Sequence, residues 1–467
     1  MRPSKGRMWP IVRAILCLTI LVLKCDSFQA QTREPQPSPV VLNSPEFEEA
    51  RQAFEAYVAY GFRQGHFPTY AAAVVVNQDI VYDHYINTDE KRTYALASIT
   101  KTFTATAVMQ LVDAGLISLD DPITRYFPGL RRLHRASLHS KPILIRHLLS
   151  HTSGLPDMRY YRDPEWLDQD ETGLSMKVPR QIYPAGMHYR YSNHGFMILG
   201  ELVAQRSGKS LKEYYRQHLF EPMGMRDTWI HDRHSGAFGI WSSLRDMAQY
   251  AKIWLNDGKN EHGQQVISPE SIARMHAPPL YFPEGQNLPY CGLGWRVRRA
   301  GDRVNTFFHV GGANGTMTWI QMFPNYKAAI IYLGNPPEMK NEVMYRIPGM
   351  QERLGDVATA VVNQHTALYA YEPSLPSMLV RSRMPGIYIS PLTQNQINVR
   401  FEPEERLTLS WLRGRTEEIE PIDPRKFMGK DSGILYDFPF TPDEQAPVGI
   451  ATATDYFIRE ATEHPPE

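Results

Sequence analysis

The amino-acid sequence predicts an α+β fold, with an antiparallel sheet flanked by helices and a small β-rich C-terminal domain. Three observations support this class. Residues 45–61 carry apolar side chains at helical spacing and precede two strand-like runs. Four short aromatic and β-branched segments lie between residues 292 and 334, which favours consecutive antiparallel strands. In the last part of the chain, INVRF at 397–401 and LTLSWL at 407–412 alternate apolar and polar residues, as half-buried strands do.

The length and charge of the chain limit its partners. With 467 residues, it has room for one large domain and a smaller appendage. Lys and Arg number 50 and Asp and Glu number 50, so the formal net charge is +0. No long-range field would gather nucleic acid or an anionic membrane. We therefore expect a small or uncharged partner and no nucleic acid, while the oligomeric state is left open.

The first residues have the pattern of a secretory signal peptide. In residues 1–30 a basic start is followed by the apolar run Ala14 to Leu23 and then by polar residues. The run is about half of the roughly 20 apolar residues that a membrane span needs. We expect a secreted or periplasmic protein with no integral membrane span after signal cleavage, and a membrane-anchored form is the alternative. Residues 31–45, rich in Pro and polar residues, are predicted to be a flexible linker.

The remaining elements are predicted in order along the chain. The helix at 45–61 leads to a hairpin whose strands are joined at Asn77-Gln78-Asp79. One amphipathic helix is expected from Ser98 to Gly115. Residues 119–189, crowded with Pro, Gly and charges, are expected to form loops and short helices around a cleft. Further helices are predicted at 195–208, 242–254 and 349–364, and strands at 292–299, 304–310, 316–323 and 328–334.

The composition changes after the last of these helices. Residues 372–385, EPSLPSMLVRSRMP, include several Pro and Ser residues. We place the boundary there, which gives a main domain at 46–365, a linker at 366–380 and a β-rich accessory domain at 381–467.

Ser98 and Lys101 form the only Ser-x-x-Lys motif in the chain. On a helix, residues three apart share one face, so the Ser98 hydroxyl and the Lys101 amine would lie within reach of proton transfer. The motif therefore predicts an activated nucleophile, and an ordinary helix start with a solvated lysine is the alternative.

Two further motifs strengthen this prediction. Tyr191-Ser192-Asn193 precedes a predicted helix; a tyrosine can share a proton with a lysine, and an asparagine can bind a substrate carbonyl or amide. His309-Val310-Gly311-Gly312 follows a predicted strand, where glycines let a ligand approach the backbone closely. Tyr85-Ile86-Asn87 and His234-Ser235-Gly236 repeat the two patterns, and we interpret both as structural.

These three motifs, in this order, resemble those of the serine β-lactamase and penicillin-binding-protein superfamily. The phrases LLSHTSGLP at 148–156, PAG at 184–186 and GLGW at 292–295 match as well. The resemblance runs from about Phe47 to His365 and is closest to class C β-lactamases, D-alanyl-D-alanine carboxypeptidases and their esterase relatives. It implies a β-lactamase-like α/β sandwich with an all-helical subregion, a serine hydrolase domain at 46–365, and no cofactor or metal.

The resemblance also implies a role for each motif residue. Ser98 would attack a carbonyl to form an acyl-enzyme, with Lys101 and Tyr191 as the coupled proton acceptor; which of the two is the base is left open. The backbone N–H groups of Ser98 and Gly312 would form the oxyanion hole. The residues expected to bind the substrate are Asn193, His309 and Gly311.

The third motif departs from the family pattern at two positions. Its middle residue is usually Thr or Ser, whose hydroxyl helps to bind a carboxylate, and Val310 cannot make that hydrogen bond. His309 stands where relatives often have Lys. We therefore expect an exported serine hydrolase that cleaves an ester or amide bond in a small molecule or peptide. The alternatives are a β-lactamase or D-alanyl-D-alanine carboxypeptidase, and a non-catalytic penicillin-binding or sensor protein.

Two other segments bear on the site. His151 could suggest a Ser-His pair with Ser150 or Ser153, but the HTSG phrase matches a structural turn of the superfamily and lacks a G-x-S-x-G nucleophile elbow. We interpret it as a buried, hydrogen-bonded loop. The loop from Met158 to Glu171 is predicted to shape substrate choice.

Overall fold

The structure is a computed structural model. It describes residues 42, 44–63, 68–133, 142–157, 181–182, 184–187, 189–278, 290–300, 303–313, 315–336 and 353–362, and eight strands between 386 and 459. The predicted signal peptide at 1–30, the linker at 366–380 and the loop from Met158 to Glu171 lie outside the described residues.

A seven-stranded antiparallel sheet forms the centre of the main part of the chain. Its strands are β1 (Tyr70–Val76), β2 (Asp79–Ile86), β6 (Tyr290–Cys291), β7 (Arg296–Ala300), β8 (Arg303–Ala313), β9 (Thr316–Phe323) and β10 (Ala328–Gly334). They lie in the order β2-β1-β10-β9-β8-β7-β6. The hairpin of β1 and β2 turns at Asn77, which adopts a left-handed φ of 58°. The predicted hairpin and consecutive antiparallel strands are both confirmed.

Both faces of this sheet are covered, as the burial of β1 shows. All seven of its residues are buried. Because side chains alternate along a strand, Ala71 and Ala73 join one hydrophobic cluster and Tyr70 and Val74 join another. The second cluster contains residues of α1 (Pro45–Arg63) and of a helix at 353–361, so these two helices cover that face. A strand buried on both sides explains why YAAAVVV is apolar throughout.

The other face carries the larger hydrophobic cluster and most of the helices. Within the described residues these are α2 (Thr100–Asp113), α3 (Ile145–Leu149), α4 (Asn193–Ser207), α5 (Leu211–Tyr215), α6 (Glu221–Met223), α7 (Leu244–Leu255) and α8 (Pro269–Met275). A small sheet joins them, in the order β3-β5-β4, formed by β3 (Tyr94–Ala95), β4 (Trp229–Ser235) and β5 (Phe238–Ser242).

The structure corrects the prediction for the Ser98 helix. Ser98 lies in a separate 3₁₀ turn, Ala97–Ile99, and α2 begins only at Thr100. Helix α2 is also not amphipathic, since every residue from Thr100 to Met109 is buried. Its threonines are compatible with burial because their hydroxyls are hydrogen-bonded: Thr102 donates to the Ile99 carbonyl at 2.8 Å.

The C-terminal residues form a closed antiparallel barrel of eight strands, which confirms the predicted β-rich region. Its buried side chains include Ile397, Val399, Leu407 and Leu409. These are the apolar positions of the two alternating runs in the sequence. The strands are β11 (Gly386–Ile389), β12 (Gln396–Glu402), β13 (Arg406–Trp411), β14 (Thr416–Asp423), β15 (Lys426–Gly429), β16 (Leu435–Asp437), β17 (Gly449–Ala451) and β18 (Tyr456–Arg459).

Across the described parts of the chain, every helix is too short or too polar to cross a membrane.

Candidate active site

The fold brings residues of all three motifs together where the turn that holds Ser98 packs against strands β8 and β9 of the large sheet. Ser98 lies in the turn between β3 and α2, and Lys101 lies in the first turn of α2. Tyr191 and Asn193 stand at the N-terminus of α4, more than 90 residues further along the chain, and reach the same point. Strand β8 carries the third motif and packs beside the turn that holds Ser98.

The Ser98 hydroxyl has two polar neighbours. Tyr191 Oη donates a hydrogen bond to Ser98 Oγ at 2.6 Å. Lys101 Nζ lies 3.1 Å from the same oxygen. A hydroxyl in contact with both a phenol and an amine has the surroundings of an activated nucleophile.

Lys101 is fully buried, and its nitrogen is surrounded by oxygen atoms. Besides Ser98, Nζ donates to Asn193 Oδ1 at 2.7 Å and to the Ala237 carbonyl at 3.0 Å. The amine also lies over the ring of Tyr191, 4.9 Å from its centroid. These contacts hold the amine at one place and exclude the solvated lysine considered as an alternative.

Asn193 is held from its other side by Asp157, a residue that the sequence analysis missed. Asn193 Nδ2 donates to Asp157 Oδ1 at 2.7 Å, and the backbone N–H of Asn193 lies 3.3 Å from the same oxygen. Asp157 is only 8% exposed. It directly follows the matched phrase LLSHTSGLP, and that adjacency was the only signal available in the sequence.

Burial keeps the Tyr191 phenol protonated. Removal from water raises the pKa of Tyr191 above its ordinary value, and the hydrogen bond with Ser98 only partly opposes that shift. At neutral pH the residue is therefore a hydrogen-bond donor to Ser98, in agreement with the direction of the 2.6 Å contact.

His151 supports the Tyr191 segment and does not form the catalytic Ser-His pair considered with Ser150 or Ser153. Its Nδ1 accepts the backbone N–H of Ser192 at 3.1 Å, and its ring packs on that of Tyr191 with 4.4 Å between centroids. Ser150 instead donates to the carbonyl of Arg146. Burial, followed by the nearby charge of Lys101, lowers the pKa of His151 well below its ordinary value. His151 is thus a neutral scaffold residue, as the structural interpretation of HTSG expected.

The turn that presents Ser98 is strained and firmly anchored. Ala97, directly before Ser98, has a φ of 46°, a left-handed conformation that costs a non-glycine residue about 1 kcal/mol. The segment before it is held from both sides: Leu96 N–H donates to the Ile240 carbonyl at 2.8 Å, and Thr316 Oγ1 donates to the Ala95 carbonyl at 2.7 Å. These contacts stabilise the strained backbone.

Gly311 lets β8 approach this turn. A Cβ at Gly311 would lie 2.1 Å from the Leu96 carbonyl oxygen and 2.2 Å from Thr318 Oγ1. Only a residue without a side chain fits there. Gly312 follows at the end of β8, in register with Met317 of β9. Gly311 therefore sets the distance between β8 and the turn that carries Ser98.

His309 is a buried, neutral imidazole. Its Nδ1 lies 2.9 Å from the Val310 carbonyl; since a carbonyl only accepts, Nδ1 carries the hydrogen and Nε2 is left as an acceptor. Burial lowers the pKa of His309 to about 3, and the charges of Lys101 and Arg296 act in the same direction. The third motif thus places no positive charge at the position where relatives often have Lys.

The described residues give no donor set for a metal. Within them, no three His, Cys, Asp or Glu side chains gather around a common point that could hold an ion.

Comparisons with known proteins agree with this architecture. Penicillin-binding protein 4* of Bacillus subtilis (strain 168) is 24% identical over 312 residues, which cover 56% of this chain and 66% of that protein, slightly less than two thirds of its length. The D-alanyl-D-alanine-carboxypeptidase/endopeptidase AmpH of Escherichia coli (strain K12) is 23% identical over 300 residues, 56% of this chain and 75% of that protein.

A solved structure shares the fold. The D-amino acid amidase from Ochrobactrum anthropi SV3, complexed with L-phenylalanine amide, matches with a TM-score of 0.53 and 21% identity, over 67% of this chain and 99% of that one. The model of the Beta-lactamase family matches residues 50–350, well over half of the sequence. This region contains all three motifs and the whole seven-stranded sheet. The chain therefore belongs to the Beta-lactamase family.

Proposed function

We propose that this protein is an exported serine hydrolase that cleaves an ester or amide bond through an acyl-enzyme on Ser98. The observation that carries the proposal is the position of Ser98 Oγ, 2.6 Å from Tyr191 Oη and 3.1 Å from Lys101 Nζ. Both distances suit proton transfer. The names of the relatives, which include a carboxypeptidase and an amidase, support hydrolysis of an acyl bond.

In the proposed reaction, Ser98 Oγ forms a bond to the substrate carbonyl carbon while its proton passes to Lys101 Nζ. The protonated state of Tyr191 favours Lys101 as the first acceptor. The tetrahedral oxyanion would be held by the backbone N–H groups of Ser98 and Gly312, and one such donor is worth about a hundred- to a thousandfold in rate. When the carbon-to-leaving-group bond breaks, the proton passes through Tyr191 to the leaving oxygen or nitrogen. Water then hydrolyses the acyl ester by the same route in reverse.

The third motif supports a substrate whose group beside the scissile bond is uncharged. His309 is neutral and offers an acceptor nitrogen, and Val310 has no hydroxyl. Within the third motif, a free carboxylate would find neither the cation nor the hydroxyl that usually binds it. Asn193, His309 and Gly311 are proposed to contact the substrate.

A D-alanyl-D-alanine carboxypeptidase is the second candidate, favoured by the name of the relative AmpH. The two functions differ in their need for a free carboxylate. Initial rates with p-nitrophenyl acetate, a C-terminally amidated D-alanyl dipeptide and its free-acid counterpart separate them, with Ser98→Ala as control. We expect the ester and the amide to be preferred and all turnover to vanish in Ser98→Ala. Preference for the free acid would favour the carboxypeptidase, and a stable adduct without turnover would favour a penicillin-binding protein or sensor.

The division of the chain and its export are part of the proposal. The basic start and apolar run at 1–30 support secretion, and the barrel is proposed to be an accessory domain beyond a linker at 366–380. Removing the residues after Pro373 should leave ester turnover unchanged. Exchanging residues 158–171 is expected to alter the relative rates of different esters, and unchanged relative rates would exclude that loop from substrate choice.

A further inference from the structure

Asp157 determines which end of the Asn193 amide faces Lys101. An amide can present either its oxygen or its nitrogen, and here the neighbours decide. A carboxylate only accepts hydrogen bonds, so Asp157 Oδ1 at 2.7 Å requires the nitrogen of Asn193 on its side. The oxygen is then left toward Lys101, where it accepts from Nζ at 2.7 Å.

This orientation has a consequence for the lysine as a base. To act as the base, Lys101 must be in its neutral form, and a neutral amine has two N–H bonds and one lone pair. Asn193 Oδ1 and the Ala237 carbonyl are both acceptors in this arrangement, so each takes one N–H of Lys101. The remaining direction of the nitrogen faces Ser98 Oγ at 3.1 Å, where the lone pair can receive the hydroxyl proton.

We propose that Asp157 is a positioning residue that aims the lone pair of Lys101 at Ser98 by fixing the orientation of the Asn193 amide. The inference rests on the proposed function, because it concerns activation of the same nucleophile. If the amide were reversed, its N–H would donate to the deprotonated lysine and occupy the lone pair. Lys101 would remain in place but would no longer accept the proton of Ser98.

The surroundings of Asp157 suit this role. The carboxylate lies at the N-terminus of the 15-residue helix α4, where the partial positive charge of the helix dipole favours a negative charge. The chain around it is tied to the same helix end, since Ser192 Oγ donates to the Pro156 carbonyl at 3.0 Å and His194 Nδ1 lies 3.1 Å from that oxygen. Asp157 is thus held against Asn193 by contacts that do not involve the lysine.

The test replaces Asp157 with asparagine, which keeps the shape but can both donate and accept. The readout is the rate at which a fluorophosphonate labels Ser98, followed by intact mass, because this probe reports the nucleophile without substrate recognition. We expect Asp157→Asn to label about ten- to a hundredfold more slowly, below the full worth of a general base. In steady-state turnover of p-nitrophenyl acetate, kcat should fall and KM should stay within about twofold.

A double-mutant cycle separates positioning from support of the fold. If Asp157 acts through Asn193, then Asp157→Asn should change the labelling rate by less than about twofold in an Asn193→Ala background. Asp246→Asn is the matched control: like Asp157, Asp246 is a buried carboxylate at the N-terminus of a helix, here α7, and it accepts hydrogen bonds from Thr228 Oγ1 and the Asp227 N–H. We expect this control to lower the melting temperature without slowing the labelling.

Three results would overturn the inference: wild-type labelling rates in Asp157→Asn, full additivity in the cycle, or an equal slowing in Asp246→Asn. If Ser98 of the wild type is not labelled at all, Ser98 is not activated, and both this inference and the proposed function fail. Rapid labelling that depends on Asp157, without turnover of any ester or amide, would refute the proposed function alone.

Discussion

Replacing Gly311 with alanine should damage both the stability and the reactivity of the site. The new Cβ would lie 2.1 Å from the Leu96 carbonyl oxygen, and a tolerable contact requires at least about 3.0 Å. Strand β8 or the turn before Ser98 must therefore move by about 0.9 Å. The Thr318 hydroxyl can rotate away, but the Leu96 carbonyl belongs to the backbone, and the adjacent N–H is bonded to Ile240. The movement therefore reaches Ser98, two residues later.

The magnitude follows from the size of this movement. Overpacking of a filled interior costs about 1–3 kcal/mol. A misplacement of about 1 Å at a catalytic group can cost about a hundredfold in rate. We expect Gly311→Ala to lower the free energy of unfolding, measured with urea, by about 1–3 kcal/mol. The variant should also react with a fluorophosphonate about ten to a hundred times more slowly than the wild type.

Gly195→Ala supplies the control. A Cβ at Gly195 would meet Leu148 at 3.5 Å, an ordinary contact, and the position lies within α4, where alanine is favoured over glycine by about 1 kcal/mol. This variant should be at least as stable as the wild type and should label within about twofold of its rate. Wild-type stability and labelling in Gly311→Ala would refute the packing argument.

Three more predictions concern single side chains. Tyr191→Phe removes the donor at 2.6 Å from Ser98 and should slow acylation by about 10²- to 10⁴-fold. The retained ring should keep the melting temperature near that of the wild type. A decrease in the acylation rate of less than about threefold would exclude Tyr191 from the reaction. His309→Lys places a cation in the third motif, so the ratio of kcat/KM for a free-acid substrate over its amide should rise by about tenfold, and an unchanged ratio would contradict the assignment of this position. His276 stays neutral because burial lowers its pKa to about 3, whereas the unfolded chain binds a proton below about pH 6.5. Because only the unfolded chain binds this proton, the free energy of unfolding falls by about 2 kcal/mol between pH 6.5 and 5 on account of His276. In His276→Phe, urea unfolding should show a pH dependence that is weaker by this amount. A pH dependence identical to that of the wild type would show that His276 is not the cause.

Much of the fold was accessible from the sequence because local patterns and burial agree. Strands such as TMTWIQMF and AAIIYLG are long apolar runs between turns, and they form β9 and β10 as predicted. The helix at Ser98 was predicted less well, since threonines in α2 bond to backbone and tyrosine oxygens inside the core instead of facing water. Periodicity does not distinguish a buried hydroxyl that has a partner from an exposed one.

The candidate site, like the fold, was only partly predictable from the sequence. The sequence by itself identified the candidate side chains of the site, because Ser98, Lys101, Tyr191 and the glycines of the third motif occur at spacings typical of one family. It did not determine their protonation or their partners, which depend on groups distant in sequence. Only the tertiary structure decided that burial keeps Tyr191 protonated, and that Asp157 fixes the Asn193 amide against Lys101. Desolvation and hydrogen-bond direction are properties of the packed surroundings, and these exist only once the chain has folded.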